Sequence, residues 1–231
     1  MKEKMKSMLT YFSVGERILW CISVLLIVVS FCLFDRSGFL SLIASLIGVT
    51  ALIFNAKGNP IGQVLMVLFS GLYGVISYSF AYWGEMLTYL GMSAPMAVIA
   101  LVGWLRHPYQ GKRSEVTVHS LSAREQLLMW VLTAAVTTGF YFLLAALGTS
   151  NLIPSTISVT TSFLAVWLTF RRSPFFALAY AANDVVLIVL WTLATLEDPS
   201  YLSVVVCFTA FLANDIYGFI SWQRMKRRQN A

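Results

Sequence analysis

Eight stretches of this chain are each long and apolar enough to cross a bilayer, and nothing else in the sequence restricts its fold so severely. A spanning helix needs about 20 mostly apolar residues. Arg17–Phe34, Gly38–Ala56, Ile61–Ala81, Met86–Trp104, Arg124–Gly148, Leu152–Phe170, Pro174–Thr195 and Ser200–Trp222 meet that requirement. In hydrocarbon every backbone polar group must be satisfied within the protein, so such stretches become helices. With 58% hydrophobic and 11% charged residues and a mean hydropathy of +0.77, the chain is an all-α polytopic membrane protein. The first stretch reads as a retained helix, because no small-residue cleavage site follows Phe31-Cys32-Leu33-Phe34-Asp35.

The charges give the orientation. Every Lys and Arg except Arg36 falls on one side of an eight-helix count: Lys2, Lys4, Lys6 and Arg17, then Lys57, Arg106, Lys112, Arg113 and Arg124, then Arg171, Arg172, Arg224, Lys226, Arg227 and Arg228. Asp35, Glu85, Glu197 and Asp198 fall on the other. Cytoplasmic loops carry the excess of Lys and Arg, so both termini are expected in the cytoplasm. The net charge of +6 then reflects topology and contact with anionic lipid, not nucleic acid. Cys21, Cys32 and Cys207 lie inside apolar helices without C-x-x-C spacing, and His107 and His119 lie in a loop, so no metal site or cofactor is expected.

Asn183-Asp184 in the seventh stretch and Asn214-Asp215 in the eighth are the exceptions to an apolar interior. Ionisable groups at membrane depth are costly and mark functional sites. At 1.5 Å per residue, Asn183 lies about 14 Å and Asn214 about 12 Å from the same face, so both pairs sit near the midplane. Tyr180, Asp184 and Trp191 share one helix face, and Phe211, Asn214 and Gly218 another. In the third stretch Gln63, Val67, Ser70, Gly74 and Ser77 form a small, mildly polar stripe flanked by Tyr73, Tyr78 and Tyr82. It reads equally as a packing seam or a solute-lining face. Ser41, Ser45, Gly48 and Val49 in the second stretch read as close helix packing. Pro95 should kink the fourth stretch and free a carbonyl.

The two halves can be overlaid. Lys57-Gly58-Asn59-Pro60 matches Arg171-Arg172-Ser173-Pro174 at an offset of 114 residues (57 to 171), and Gly103-Trp104-Leu105-Arg106 matches Ser221-Trp222-Gln223-Arg224 at 118 (104 to 222). The expected arrangement is 1+3+1+3. Residues 1–36 form a basic lead-in and an extra helix that looks like an added anchor, 37–106 a three-helix repeat, 107–150 a linker and connector helix, and 151–231 a second repeat with a basic tail. An odd connector makes the repeats parallel, with substrate bound at the midplane between them. The expected substrate-binding set is Asn183, Asp184, Asn214, Asp215, Gln63, Ser70, Tyr73, Tyr180 and Trp191.

Asn59-x2-Gly62, Leu72-Tyr73-x2-Ile76-Ser77-Tyr78, Tyr82-x-Gly84-Glu85, Pro95-Met96 and Gly103-Trp104 resemble the bacterial nicotinamide riboside transporters of the PnuC family, from about Gly48 to Arg224. The resemblance implies a SWEET-like arrangement of two three-helix bundles in the bacterial inner membrane and a homo-oligomer. It also implies facilitated diffusion of nicotinamide riboside, sustained by phosphorylation inside the cell. Asn183 matches the family pattern, which places a tryptophan four residues earlier where this chain has Ala179; Tyr180 or Trp191 could supply the ring. Related vitamin and nucleoside carriers make thiamine, riboflavin or a deoxynucleoside the alternative cargo, and a proton-coupled carrier would use the same aspartates as a relay. No nucleophile with a paired base and no phosphate-binding loop suggests an enzyme.

Overall fold

The computed structural model describes residues 11–36, 38–79, 86–149 and 151–231. Within them lie eight helices long and apolar enough to cross a membrane. We number them α1 Val14–Phe34, α2 Phe39–Ala56, α3 Ile61–Ser79, α4 Thr88–Arg106, α5 Ala123–Ala146, α6 Leu152–Phe170, α7 Phe176–Thr195 and α8 Leu202–Asn230. Each coincides with an expected stretch to within a few residues, except that α8 runs two turns beyond Trp222 as a basic tail. The expected positions Lys2, Lys4, Lys6, Tyr82, Gly84 and Glu85 lie outside the described residues.

Local sequence sets the helix ends. Ser13-x-x-Glu16 and Ser122-x-x-Glu125 form reciprocal capping boxes that start α1 and α5. The ends of α2 and α6 are closed by the same device. Gly58 and Arg172, 114 residues apart, both take the left-handed conformation (φ 65° and 55°). Gly58 N donates to Asn55 O and Asn59 N to Phe54 O; Arg172 N donates to Thr169 O and Ser173 N to Leu168 O. These are two Schellman caps. Pro95 interrupts the regular helix, as expected. The preceding turn, Thr88–Ser93, widens to a π-helix and regular α-helix resumes at Ala94, which accommodates the lost donor.

Helix α3 packs between α2 and α4, and α7 between α6 and α8, while α2 meets α8 and α4 meets α6. Helix α5 lies against α6 and α1 against α8 and α2. Ser45, Gly48 and Val49 are buried, as close packing of α2 requires. Large apolar side chains face outward on the flanking helices, for instance Leu25 at 62% and Phe142 at 67% exposure, which suits a hydrocarbon solvent.

Between α4 and α5 a short hairpin, β1 Pro108–Tyr109 and β2 Lys112–Val116, gathers the basic end of the molecule. Tyr11 Oη donates to Ser114 O, Val116 N donates to Gly58 O, and Gln229 Nε2 donates to Val116 O. Arg228 pairs with Glu115. Both described chain ends and the central loop therefore share one face, here the basic face; Asp35, Glu197 and Asp198 lie at the other, the acidic face.

Helix α1, expected as an added anchor, is joined to the rest of the bundle by polar contacts. Glu16, 4% exposed, pairs with Lys57 at 3.2 Å and accepts from Tyr217 Oη at 2.9 Å. Trp20 Nε1 donates to Thr50 Oγ1, and Ser23 Oγ accepts from Asn214 Nδ2 at 2.8 Å. Replacing Glu16 by Ala removes both charge-assisted partners, so we expect a loss of about 1.5–3 kcal/mol. A drop in the unfolding midpoint of the purified protein, partly restored by adding Lys57→Ala, is the expected readout.

Candidate functional site

A cavity of about 720 Å³ lies between the two sets of helices. Its mouth is at the acidic face, among Leu147, Thr149, Asn151, Leu196, Glu197 and Tyr201, and it ends in a floor formed by Gln63, Ala100, Thr169, Tyr180 and Asp215. The size is that of a small-molecule site.

Eight of the nine expected residues line it: Gln63, Ser70, Tyr73, Tyr180, Asn183, Asp184, Trp191 and Asp215. Asn214 does not. It turns to α1, donating to Ser23 Oγ and to Ala210 O at 2.8 Å each. The face of α8 that reaches the cavity is Phe208, Phe211 and Asp215, so the expected Phe211, Asn214 and Gly218 face is corrected by one residue. One residue turns a helix by about 100°, enough to move a side chain from cavity to packing interface.

The walls differ in chemistry. On one side Phe69 and Tyr73 of α3, Tyr89 of α4 and Phe211 of α8 form a continuous aromatic surface. Ring centroids are 4.8 Å apart for Phe69 and Tyr73, 5.1 Å for Tyr73 and Tyr89, and 5.9 Å for Phe69 and Phe211. Gly48 makes this possible: a Cβ there would lie 2.5 Å from Phe211 Cζ and 2.9 Å from Phe69 Cε2.

The opposite wall is amide and hydroxyl. Asn183 Oδ1 accepts from Ser158 Oγ (3.1 Å), Thr161 Oγ1 (2.9 Å) and Ser162 Oγ (3.1 Å). Ser158 and Ser162 suffice to fill the two lone pairs, since the Thr161 proton can also go to Ile157 O or Ser158 O, and an oxygen held in this way leaves the NH2 group of Asn183 as its donor toward the cavity. The hydroxyl run of α6, weak evidence by itself in sequence, is thereby explained.

Asp184 and Asp215, each 4% exposed, bring their carboxyl groups within hydrogen-bonding range of each other. Six buried polar atoms of the described residues have no hydrogen-bond partner; Asp184 Oδ2 and Ser70 Oγ are in the cavity lining, and Trp167 Nε1, Arg171 Nε, Arg172 Nε and Asn214 Oδ1 are outside it. Buried polar atoms are rarely left so unless a ligand or water meets them. Trp191 lies nearer the mouth, its ring 5.2 Å from Tyr201, and Ala179 packs into the core instead of facing the cavity. Of the contributors that sequence reasoning missed, Tyr89 and Ser93 lie on the π-turn before Pro95, and only the widened turn directs them inward.

The family described as nicotinamide mononucleotide transporter matches residues 38–224. The chain is 25% identical over 202 residues to the nicotinamide riboside transporter PnuC of Neisseria mucosa, covering 85% of this chain and 76% of that one. It is 23% identical over 198 residues to the nicotinamide riboside transporter PnuC of Haemophilus influenzae, covering 84% and 83%. The crystal structure of the vitamin B3 transporter PnuC has the same fold, with a TM-score of 0.81 at 22% identity over 94% of each chain.

Adding a methyl group at Gly48 forces Phe69 or Phe211 to move. Overpacking of this kind costs about 1–3 kcal/mol. Gly48→Ala is expected to lower the unfolding midpoint by the corresponding amount, and an unchanged midpoint would show that the two rings yield freely.

Proposed function

Because the chain belongs to the nicotinamide mononucleotide transporter family, matched over residues 38–224, we propose that it carries nicotinamide riboside through this cavity by facilitated diffusion. The observation that carries the choice of cargo is the charge of the lining. Among the described residues that line the cavity there are three carboxyl groups, Asp184, Asp215 and Glu197, and no Lys, Arg or His, so the only ionisable acid–base charge the lining can carry at neutral pH is negative. Buried acceptors of a phosphate are paired with guanidinium, ammonium or clustered N–H groups. A cationic pyridinium riboside therefore suits the site, and a phosphorylated nucleotide does not.

In this reading Asp184 is the counter-charge to the pyridinium, with Asp215 beside it. The aromatic wall of Tyr73 and its neighbours faces the ring, since a desolvated cation gains from an aromatic face. The NH2 of Asn183 donates to the carboxamide oxygen or a ribose hydroxyl, and Gln63, Ser70 and Tyr180 complete the polar floor. Trp191, near the mouth, meets the solute as it arrives. Asn214 is withdrawn from the binding set, because it faces Ser23.

We place the basic face in the cytoplasm of a bacterial inner membrane, following the distribution of Lys and Arg. Residues 37–106 and 151–231 act as the two units that move against each other, as in transporters built from repeats. Phosphorylation of the riboside by a cytoplasmic enzyme would keep the flux inward. Helices α1 and α5 carry exposed apolar faces that serve lipid contact and assembly into a homo-oligomer. The activity is transport, with no chemical step assigned to the chain.

The adjacency of the Asp184 and Asp215 carboxyls favours one second reading, proton-coupled transport, because two such groups within hydrogen-bonding range can exchange a proton. Uptake into proteoliposomes that is indifferent to an imposed pH gradient eliminates it.

Calorimetric titration of the purified protein tests the cargo. Nicotinamide riboside is expected to bind, with nicotinamide mononucleotide, thiamine, riboflavin and deoxynucleosides at least tenfold weaker. Asp184→Asn should weaken riboside binding by about tenfold, or about 1.4 kcal/mol. Tighter binding of the mononucleotide than the riboside would reverse the assignment.

A further inference from the structure

Beneath the cavity floor the basic face is closed by two tryptophans, each fastened across the boundary between the two halves of the chain. Trp104 Nε1, at the end of α4, donates to Thr169 O of α6 at 3.0 Å. Trp222 Nε1, on α8, donates to Asn55 O of α2 at 2.7 Å. The overlay that carries position 104 onto 222 and 55 onto 169 converts one bond into the other. Both acceptors are the carbonyls that already receive Gly58 N–H and Arg172 N–H in the Schellman caps. A carbonyl oxygen has two lone pairs, and the indole takes the second. The rings lie 5.4 Å apart, with Phe176 4.9 Å from Trp222 and 6.4 Å from Trp104, and all three side chains are at most 2% exposed.

Each accepting residue also reaches the cavity floor through its side chain. Gln63 Nε2 donates to Asn55 Oδ1 at 2.9 Å. Thr169 Oγ1 gives its own proton to Ala165 O at 2.7 Å, and Thr169 lines the cavity floor beside Tyr180. The floor thus meets the seal at two places: through Gln63 and Asn55 at Trp222, and at Thr169 at Trp104.

We propose that Trp104 and Trp222 are the gating residues of transport, a pair of crossed latches that hold the basic face shut while the cavity is open at the acidic face. The proposal rests on the transport reading above. A solute that enters among Leu147, Leu196 and Tyr201 can leave at the basic face only if the layer of Trp104, Phe176 and Trp222 parts. When the halves separate, water replaces both indole bonds. The bonds therefore stabilise the closed state alone, and removing a donor shifts the equilibrium toward opening. Solute that draws Gln63 away from Asn55, or that presses on Thr169 at the floor, loosens the carbonyl each latch grips, which links occupancy to opening.

Trp104→Phe and Trp222→Phe keep an aromatic ring and delete the donor. The reporter is Ala177→Cys, a fully buried position in the seal, in a background without Cys21, Cys32 and Cys207. Gly218→Cys is the second reporter, since a Cβ there meets only Ala177 Cβ at 3.5 Å and Ala56 Cβ at 3.9 Å. A membrane-impermeant maleimide is applied to each side of reconstituted vesicles in turn, without solute. Each Phe variant should raise labelling from the basic face by about fivefold, the effect of one ordinary hydrogen bond, and the pair by more than either alone. Labelling from the acidic face should not change. Nicotinamide riboside added to the tryptophan-containing protein should raise basic-face labelling of the same reporters.

Lower thermal stability with unchanged basic-face labelling in both reporters would make the tryptophans mere packing and overturn the proposal. So would an equal rise from both faces, which indicates general loosening. Should the riboside fail to bind the protein, the cargo assignment falls, while the solute-free labelling still reports on the latches.

Discussion

A polar group buried in an apolar helical bundle has to find its partner within the protein, and the way this chain meets that constraint shapes everything else about it. Most buried polar groups are tied off in pairs that join helices: Glu16 to Lys57 and Tyr217, Asn214 to Ser23, Gln63 to Asn55, and each indole N–H to a helix-end carbonyl. Of the six buried polar atoms left without a partner among the described residues, Ser70 Oγ and Asp184 Oδ2 border the cavity. Satisfied polar groups hold the bundle together; these two are open to a solute.

The two halves share a turn and a seal but not a wall. The Schellman caps at Gly58 and Arg172 and the tryptophans at 104 and 222 coincide under the overlay. The residues above them have diverged. Phe69-Ser70 of α3 stands where α7 has Asn183-Asp184, so one wall is aromatic and the other amide, hydroxyl and carboxylate. An asymmetric site suits a ligand with a flat cationic ring at one end and a ribose at the other. A symmetric seal suits a motion in which the halves part about the axis that relates them.

Several positions show where pattern reading stops. Asn214 and Asp215 are adjacent in an apolar run, and hydropathy treats both as candidates; only the rotation of α8 sends Asp215 to the cavity and Asn214 to α1. Helix α1 reads in sequence as an added anchor, and its packing is invisible there, yet Glu16, Trp20 and Ser23 each meet a partner on a distant part of the chain. Pro95 announces a break in α4, but a kink and a π-turn are alternative responses to the same lost donor. The turn chosen is what brings Tyr89 and Ser93 into the cavity.

The sequence by itself determined the eight spans, the end of the molecule that gathers the basic residues, the matched turns before Pro60 and Pro174, and the depth at which polarity enters the bundle. These depend on local spacing and composition, which a linear chain records directly. Tertiary structure alone decided which face of each helix looks inward, which hydroxyls orient Asn183, and which carbonyls the two tryptophans grip. Those depend on helix rotation and on contacts between residues up to 201 positions apart. A change of one residue in register alters them while leaving every apolar segment in place.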